Sequence, residues 1–136
     1  MAEQTTAGSE REAIASISSQ LVSLHKQFYG KGPVKAKAFL VNDTVLCLLE
    51  GGFTVVERTL IDEGREQTVH EIRRSFQMAM EDKFTAVIED TLGRQVRAYL
   101  SQVHTDPDVA VELFMLEPAG EPAKVEYHDE VLARED

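Results

Sequence analysis

Apolar and polar positions alternate along the chain with two different periods, and the changes of period mark its elements. Ile14, Ile17, Leu21, Leu24 and Phe28 recur at three- and four-residue steps, which predicts an amphipathic helix over about 12–29, stopped by Gly30-Lys31-Gly32-Pro33. The period then falls to two through Val34-Lys35-Ala36-Lys37-Ala38-Phe39-Leu40-Val41. After Asn42-Asp43-Thr44 a second apolar run follows, Val45-Leu46-Cys47-Leu48-Leu49-Glu50, and the two runs read as a β-hairpin. Gly51-Gly52 ends it. Thr54 stands three residues before Glu57, the spacing of a capping box, and predicts a short helix that runs to about Glu63 and stops at Gly64.

From Glu66 to Leu92 the set Val69, Ile72, Phe76, Met80, Phe84, Val87 and Ile88 keeps one helical stripe for about seven turns, roughly 40 Å at ~1.5 Å per residue. Gly93 ends this long helix. Two more strands, 96–103 and 109–116, then flank Thr105-Asp106-Pro107-Asp108, whose proline suits a turn. The order α-β-β-α-α-β-β implies a two-layer α+β domain: two β-hairpins form a four-stranded, mainly antiparallel sheet with the helices on one face. The two junctions are alike, Gly30-Lys31-Gly32-Pro33-Val34-Lys35-Ala36 against Gly93-Arg94-Gln95-Val96-Arg97-Ala98. That likeness has two readings, an anion-binding collar of bases or turn chemistry that recurs wherever a helix hands over to a strand.

Charge refines the boundaries. The chain of 136 residues has 14 Lys+Arg against 24 Asp+Glu, a net charge of −10 that opposes general binding to a phosphate backbone. Residues 117–136 hold seven acids against two bases and residues 1–10 hold two acids, so residues 11–116 are left at −3. The expected organisation is a disordered N-terminal tail over 1–11, one α+β domain over 12–116 and an acidic, mostly disordered C-terminal tail over 117–136. In that last tail Val125, Tyr127, Val131 and Leu132 form one short segment able to dock. The polar start is not a signal peptide, and no run reaches the ~18 apolar residues of a spanning helix, so a soluble, cytoplasmic protein without direct membrane insertion is expected.

Candidate chemistry is sparse. Cys47 is the single cysteine and lies in a run of Val and Leu, where a buried, inert thiol is the expectation. His25, His70, His104 and His128 form no pair at ligand spacing, and neither a P-loop nor a nucleophile elbow occurs, so no catalytic residue, metal or cofactor is assigned. The bases Lys31, Lys35, Arg73, Arg94 and Arg97 are the candidate small-anion or nucleotide site, four of them lying at the helix-to-strand junctions. Strand alternation further places Lys35, Lys37 and Phe39 on the sheet face away from the helices, with Arg97 and Tyr99 beside them. Such a face can serve as a single-stranded nucleic-acid platform, but the charge of the core and the lack of a Gly-aromatic run argue against nucleic acid. The competing reading is a homodimer interface marked by Phe39, Val41, Tyr99 and Phe114.

Gly30-Lys31-Gly32-Pro33 after a helix, Phe53-Thr54-x-x-Glu57, Gly64, Val69 with Arg73, and Thr91-Leu92-Gly93 followed by Val96 together resemble a small bacterial family. That family is the C component of a Na+-translocating membrane-potential-generating system, and the likeness spans about 12–116. It implies a non-enzymatic accessory or regulatory protein associated with a membrane ion or inorganic-carbon transport system, and it supplies no catalytic residues. The small-anion or nucleotide sensor is the alternative expectation.

Overall fold

The computed structural model describes residues 2–119. Helix α1 spans Ala2–Tyr29, strands β1 and β2 span Lys35–Val41 and Thr44–Glu50, and helices α2 and α3 span Val55–Asp62 and Glu66–Leu92. Strands β3, Val96–His104, and β4, Val109–Leu116, complete an antiparallel sheet of order β1-β2-β4-β3. The expected α+β architecture is present, with the two hairpins joined along β2 and β4. One helix start differs: α1 begins at Ala2, so residues 2–11, read above as a tail, are helical. Gly8 through Glu12 are exposed. Residues 8–12 bury no apolar face, which is why they lack the apolar period that marks the rest. The C-terminal segment around Val125, Tyr127, Val131 and Leu132 lies outside the described residues.

Local chemistry fixes each element's end. Thr54 Oγ1 accepts the Glu57 amide at 3.1 Å while Glu57 Oε1 accepts the Thr54 amide at 2.8 Å, which makes the predicted capping box real. Gly93 ends α3 in the left-handed conformation, its amide bonded to Glu89 O. At the close of β2, Gly51 has φ of +72°, the left-handed region that favours glycine, and a Cβ there would press on a methyl of Val34.

Helices α1 and α3 lie over one sheet face. Ile17 and Leu21 of α1, with Met80, Phe84, Val87 and Ile88 of α3, close over Val45, Cys47, Phe114 and Leu116. A smaller cluster of Phe53, Val69 and Val103 lies where α2 joins, with Leu60 and Ile61 against it. The stripes depart from expectation at two places. Phe28 and Ile72 are 46% and 40% exposed, while His25 and Arg73 take the inward positions. A polar side chain goes inside when a buried partner satisfies it, and hydrophobic periodicity alone does not register that pairing.

Candidate functional site

Sheet register decides which strand residues can act together. Lys35, Lys37, Phe39 and Val41 of β1, Leu46 and Leu48 of β2, Val111, Leu113 and Met115 of β4 and Leu100 of β3 face away from the helices, as the cross-strand pairs and alternating burial require. Phe39, Leu46, Leu113 and Leu100 form one row across all four strands. Of the four predicted interface residues, Phe39 and Val41 lie on this open face, 42% and 59% exposed. Tyr99 and Phe114 do not: Phe114 is fully buried opposite Val45, and Tyr99 stacks on it at 5.0 Å under Phe84. For Tyr99 the physical reason is a β-bulge. Between Val96 and Ala98 the register slips by one residue, so Arg97 is the extra residue and every later side chain of β3 changes face. Leu100 thereby takes the open-face position expected of Tyr99, whereas β4 runs without a bulge and Phe114 points inward because it shares its face with the buried Glu112 and Leu116.

The five predicted anion-binding bases are not brought together. Lys31, Lys35 and Arg73 lie toward the Gly51 end of the sheet and Arg94 and Arg97 toward the Asp43 end, separated by the length of β2, roughly 20 Å. Most are engaged. Lys31 Nζ donates to Gly51 O at 2.6 Å, and Arg94 Nη2 donates to Asp43 Oδ1 at 2.5 Å and to Glu117 O at 2.9 Å. Each base therefore binds the carbonyl of the residue that follows the second strand of its own α-β-β unit, which explains the likeness of the two junctions as turn chemistry. Lys35 faces Glu50 at 3.8 Å in an exposed pair.

Arg73 belongs to a buried lock. Its Nε donates to Glu57 Oε2 at 2.6 Å and its Nη2 to Glu57 Oε1 at 2.7 Å and to Gly52 O at 2.8 Å. Tyr29 OH donates to Glu57 Oε2 at 2.5 Å, and its ring lies 4.1 Å beneath the guanidinium. Burial alone would raise the Glu57 carboxyl, but the bonds from Arg73, Thr54 and Tyr29 outweigh it and hold the group below its ordinary value. Asp108 completes the arrangement, Oδ2 accepting the Phe53 amide at 3.0 Å. The loop at 51–53 is thus tied to α3, to the α1–β1 junction and to the β3–β4 turn.

Behind the lock lies a second polar group that sequence reasoning missed. Glu112, on the central strand β4, is 1% exposed and faces the helices. Tyr99 OH donates to its Oε2 at 2.5 Å, and His25 Nε2 stands 4.0 Å from its Oε1. Burial pushes the Glu112 carboxyl up to about 7, opposed by Tyr99, the nearby Ser101 hydroxyl and the charge of Arg73. Burial also lowers His25, whose ring stacks on Phe84 at 5.0 Å. Cys47, the cross-strand neighbour of Glu112, has its thiol pushed up to about 12 by burial and by the Glu112 charge. A cavity of about 20 Å³ touches His25, Glu112, Arg73, Lys31, Gly52 and Asp108, the space that a single water needs. The one sequence signal for this group was Glu112 itself, a charge in the otherwise apolar run 109–116.

Among the described residues no cluster of three or more His, Cys, Asp or Glu could hold a metal ion, and no helix is long and apolar enough to cross a membrane. The family model described as Na+-translocating membrane potential-generating system (MpsC) matches residues 9–118. Comparison with curated proteins and with solved structures gave no match.

Proposed function

The chain belongs to the MpsC family, and from that premise we propose that it is a soluble, non-catalytic accessory subunit of a Na+-translocating membrane-potential-generating system. It acts in the cytoplasm, regulates the membrane-embedded subunits rather than forming the ion path, and works as a homodimer whose open sheet faces pack together. The observation that carries the dimer is the apolar row Phe39, Leu46, Leu113 and Leu100, flanked by Val41, Leu48, Val111 and Met115 on a face that no element of the described residues covers. The four strands give this face a footprint on the order of 400 Å², and its apolar centre is of the kind that is often functional on soluble proteins.

A second copy fits better than a charged partner because the face has no charge at its centre. Lys35, Lys37, Glu50 and His104 all lie toward one end. With a twofold axis along the strands between β2 and β4, β1 of one protomer covers β3 of its partner. Lys37 then lies over Gln102 and Phe39 over Leu100, so like charges are not opposed and the two sheets form a sandwich core ~10 Å thick.

Cross-linking tests that geometry directly. Cys47 is buried and the only cysteine, so F39C and L100C each add one accessible thiol. Mixing the two variants with a short bis-maleimide should give covalent dimers, and either variant alone should give few. Cross-linking of F39C to itself, or none in the mixture, would contradict the arrangement. Association with the membrane system is checked separately: the tagged chain should sediment with membranes that contain the integral subunits of that system and stay in the supernatant without them.

A further inference from the structure

Hydrogen-bond directions at Glu112 and His25 leave two acceptors facing each other at 4.0 Å, a pairing that neither the lock nor the sheet interface uses. His25 Nδ1 lies 2.8 Å from Leu21 O. A carbonyl only accepts, so Nδ1 carries the hydrogen and, in the neutral ring, Nε2 is a bare acceptor. That acceptor faces Glu112 Oε1 at 4.0 Å, while Glu112 Oε2 already takes the Tyr99 hydroxyl. An ionised Glu112 would set two lone-pair atoms against each other between side chains that are almost wholly buried. One proton between them removes the conflict.

We propose that Glu112 and His25 form a buried site that binds a single proton, carried on the Glu112 carboxyl and exchanged with solvent through the adjoining cavity. The surroundings support that placement from every side. His25 comes from α1, Arg73 from α3, Cys47 from β2 and Tyr99 from β3, with Lys31 and Asp108 farther along the cavity. Among the described residues Arg73 is the cation whose charge lowers the Glu112 carboxyl, and that charge is already matched by Glu57 at 2.6 Å. Burial raises Glu112 and lowers His25, and both directions put the proton on the carboxyl. Lys31 and Asp108 are only partly buried, which gives the cavity a polar route outward. The site lies on the covered face and is independent of the dimer proposed above.

Proton linkage gives this pair a distinctive signature. Unfolded, His25 gains a proton below 6.5 and Glu112 below 4.5; folded, the pair holds one proton below about 7. Between 4.5 and 6.5 both states hold one, so the pair adds almost no pH dependence to the stability of the unsubstituted protein. Splitting the pair exposes two opposite slopes. Relative to the parent, E112Q should lose folding equilibrium constant as pH falls from about 7 to 4.5, approaching tenfold per pH unit. Relative to the parent, H25F should gain by up to tenfold per unit below 6.5.

Spectra of the unsubstituted protein decide the matter even if a variant fails to fold. At pH ~6, between the ordinary range of a carboxyl and the raised value here, ¹⁵N shifts should report neutral His25 with the hydrogen on Nδ1. Isotope-edited infrared spectra should show a protonated Glu112 carboxyl that ionises in one step near pH 7. An ionised Glu112 at that lower pH, or an imidazolium at His25, would overturn the proposal, as would difference slopes of the same sign in the two variants.

Discussion

Adjacent rows of the sheet meet different surroundings. Ala38, Cys47, Glu112 and Ser101 look toward the helices, whereas Phe39, Leu46, Leu113 and Leu100, one residue away, look outward. The covered row holds a carboxylate and a hydroxyl, and the exposed row is wholly apolar. Hydrophobic burial would put these the other way round in a protomer that works alone, since apolar area removed from water contributes roughly 25 cal/mol per Å² and an unpaired buried carboxylate costs several kcal/mol. The covered face tolerates Glu112 because Tyr99 of β3 donates to it and His25 of α1 stands beside it, while the Ser101 hydroxyl is buried with no hydrogen-bond partner among the described residues. The open face keeps its apolar row because, on this account, its partner is another protomer.

The largest test of the comparison removes a partner from the covered side. R73M leaves Glu57 buried with only Tyr29 and Thr54, and should lower stability by about 3–5 kcal/mol in denaturant unfolding; a loss below ~1 kcal/mol would mean that the lock is not structural. Next come two neighbours on β4 that point to opposite faces. F114A should cost the protomer about 3–5 kcal/mol, while L113A should cost it about 1 kcal/mol or less and act mainly by weakening self-association. Equal costs would erase the distinction between the faces.

Acid should act through the lock as well. The Glu57 carboxyl is held below its ordinary value of 4.5, so it contributes stability that is present above pH 4.5 and lost as pH falls through the lowered folded value. Urea titrations should therefore show stability falling below that pH, with the fall reduced in E57Q measured against its own neutral-pH stability. The smallest effect is expected at the exposed Lys35–Glu50 pair, 58% and 50% exposed, where K35A should change stability by under ~0.5 kcal/mol.

Long-range order was readable from residues wherever a single period dominated. The order of elements, the span of α3, the capping box at Thr54 and Glu57 and both hairpins follow from periodicity and turn residues, and the structure has them. Side-chain placement failed where a period was interrupted. The bulge at Arg97 leaves no mark in composition, yet it turns Tyr99 inward and Leu100 outward. On α3, Ile72 looked like the core residue because it is apolar. Arg73 takes the inward place because Glu57, sixteen residues earlier, is there to receive it. His25 and Glu112 escaped notice for the same reason, since their pairing is made in space by α1 and β4 and not by any spacing along the chain.

Whether the open face is an interface is read most directly from sedimentation equilibrium of the unsubstituted protein beside L46E, which puts a charge at the centre of the row. The parent should be a reversible dimer, and L46E a folded monomer with unchanged circular dichroism. A parent that stays monomeric at high concentration, or an L46E variant that dimerises as well as the parent, would contradict it.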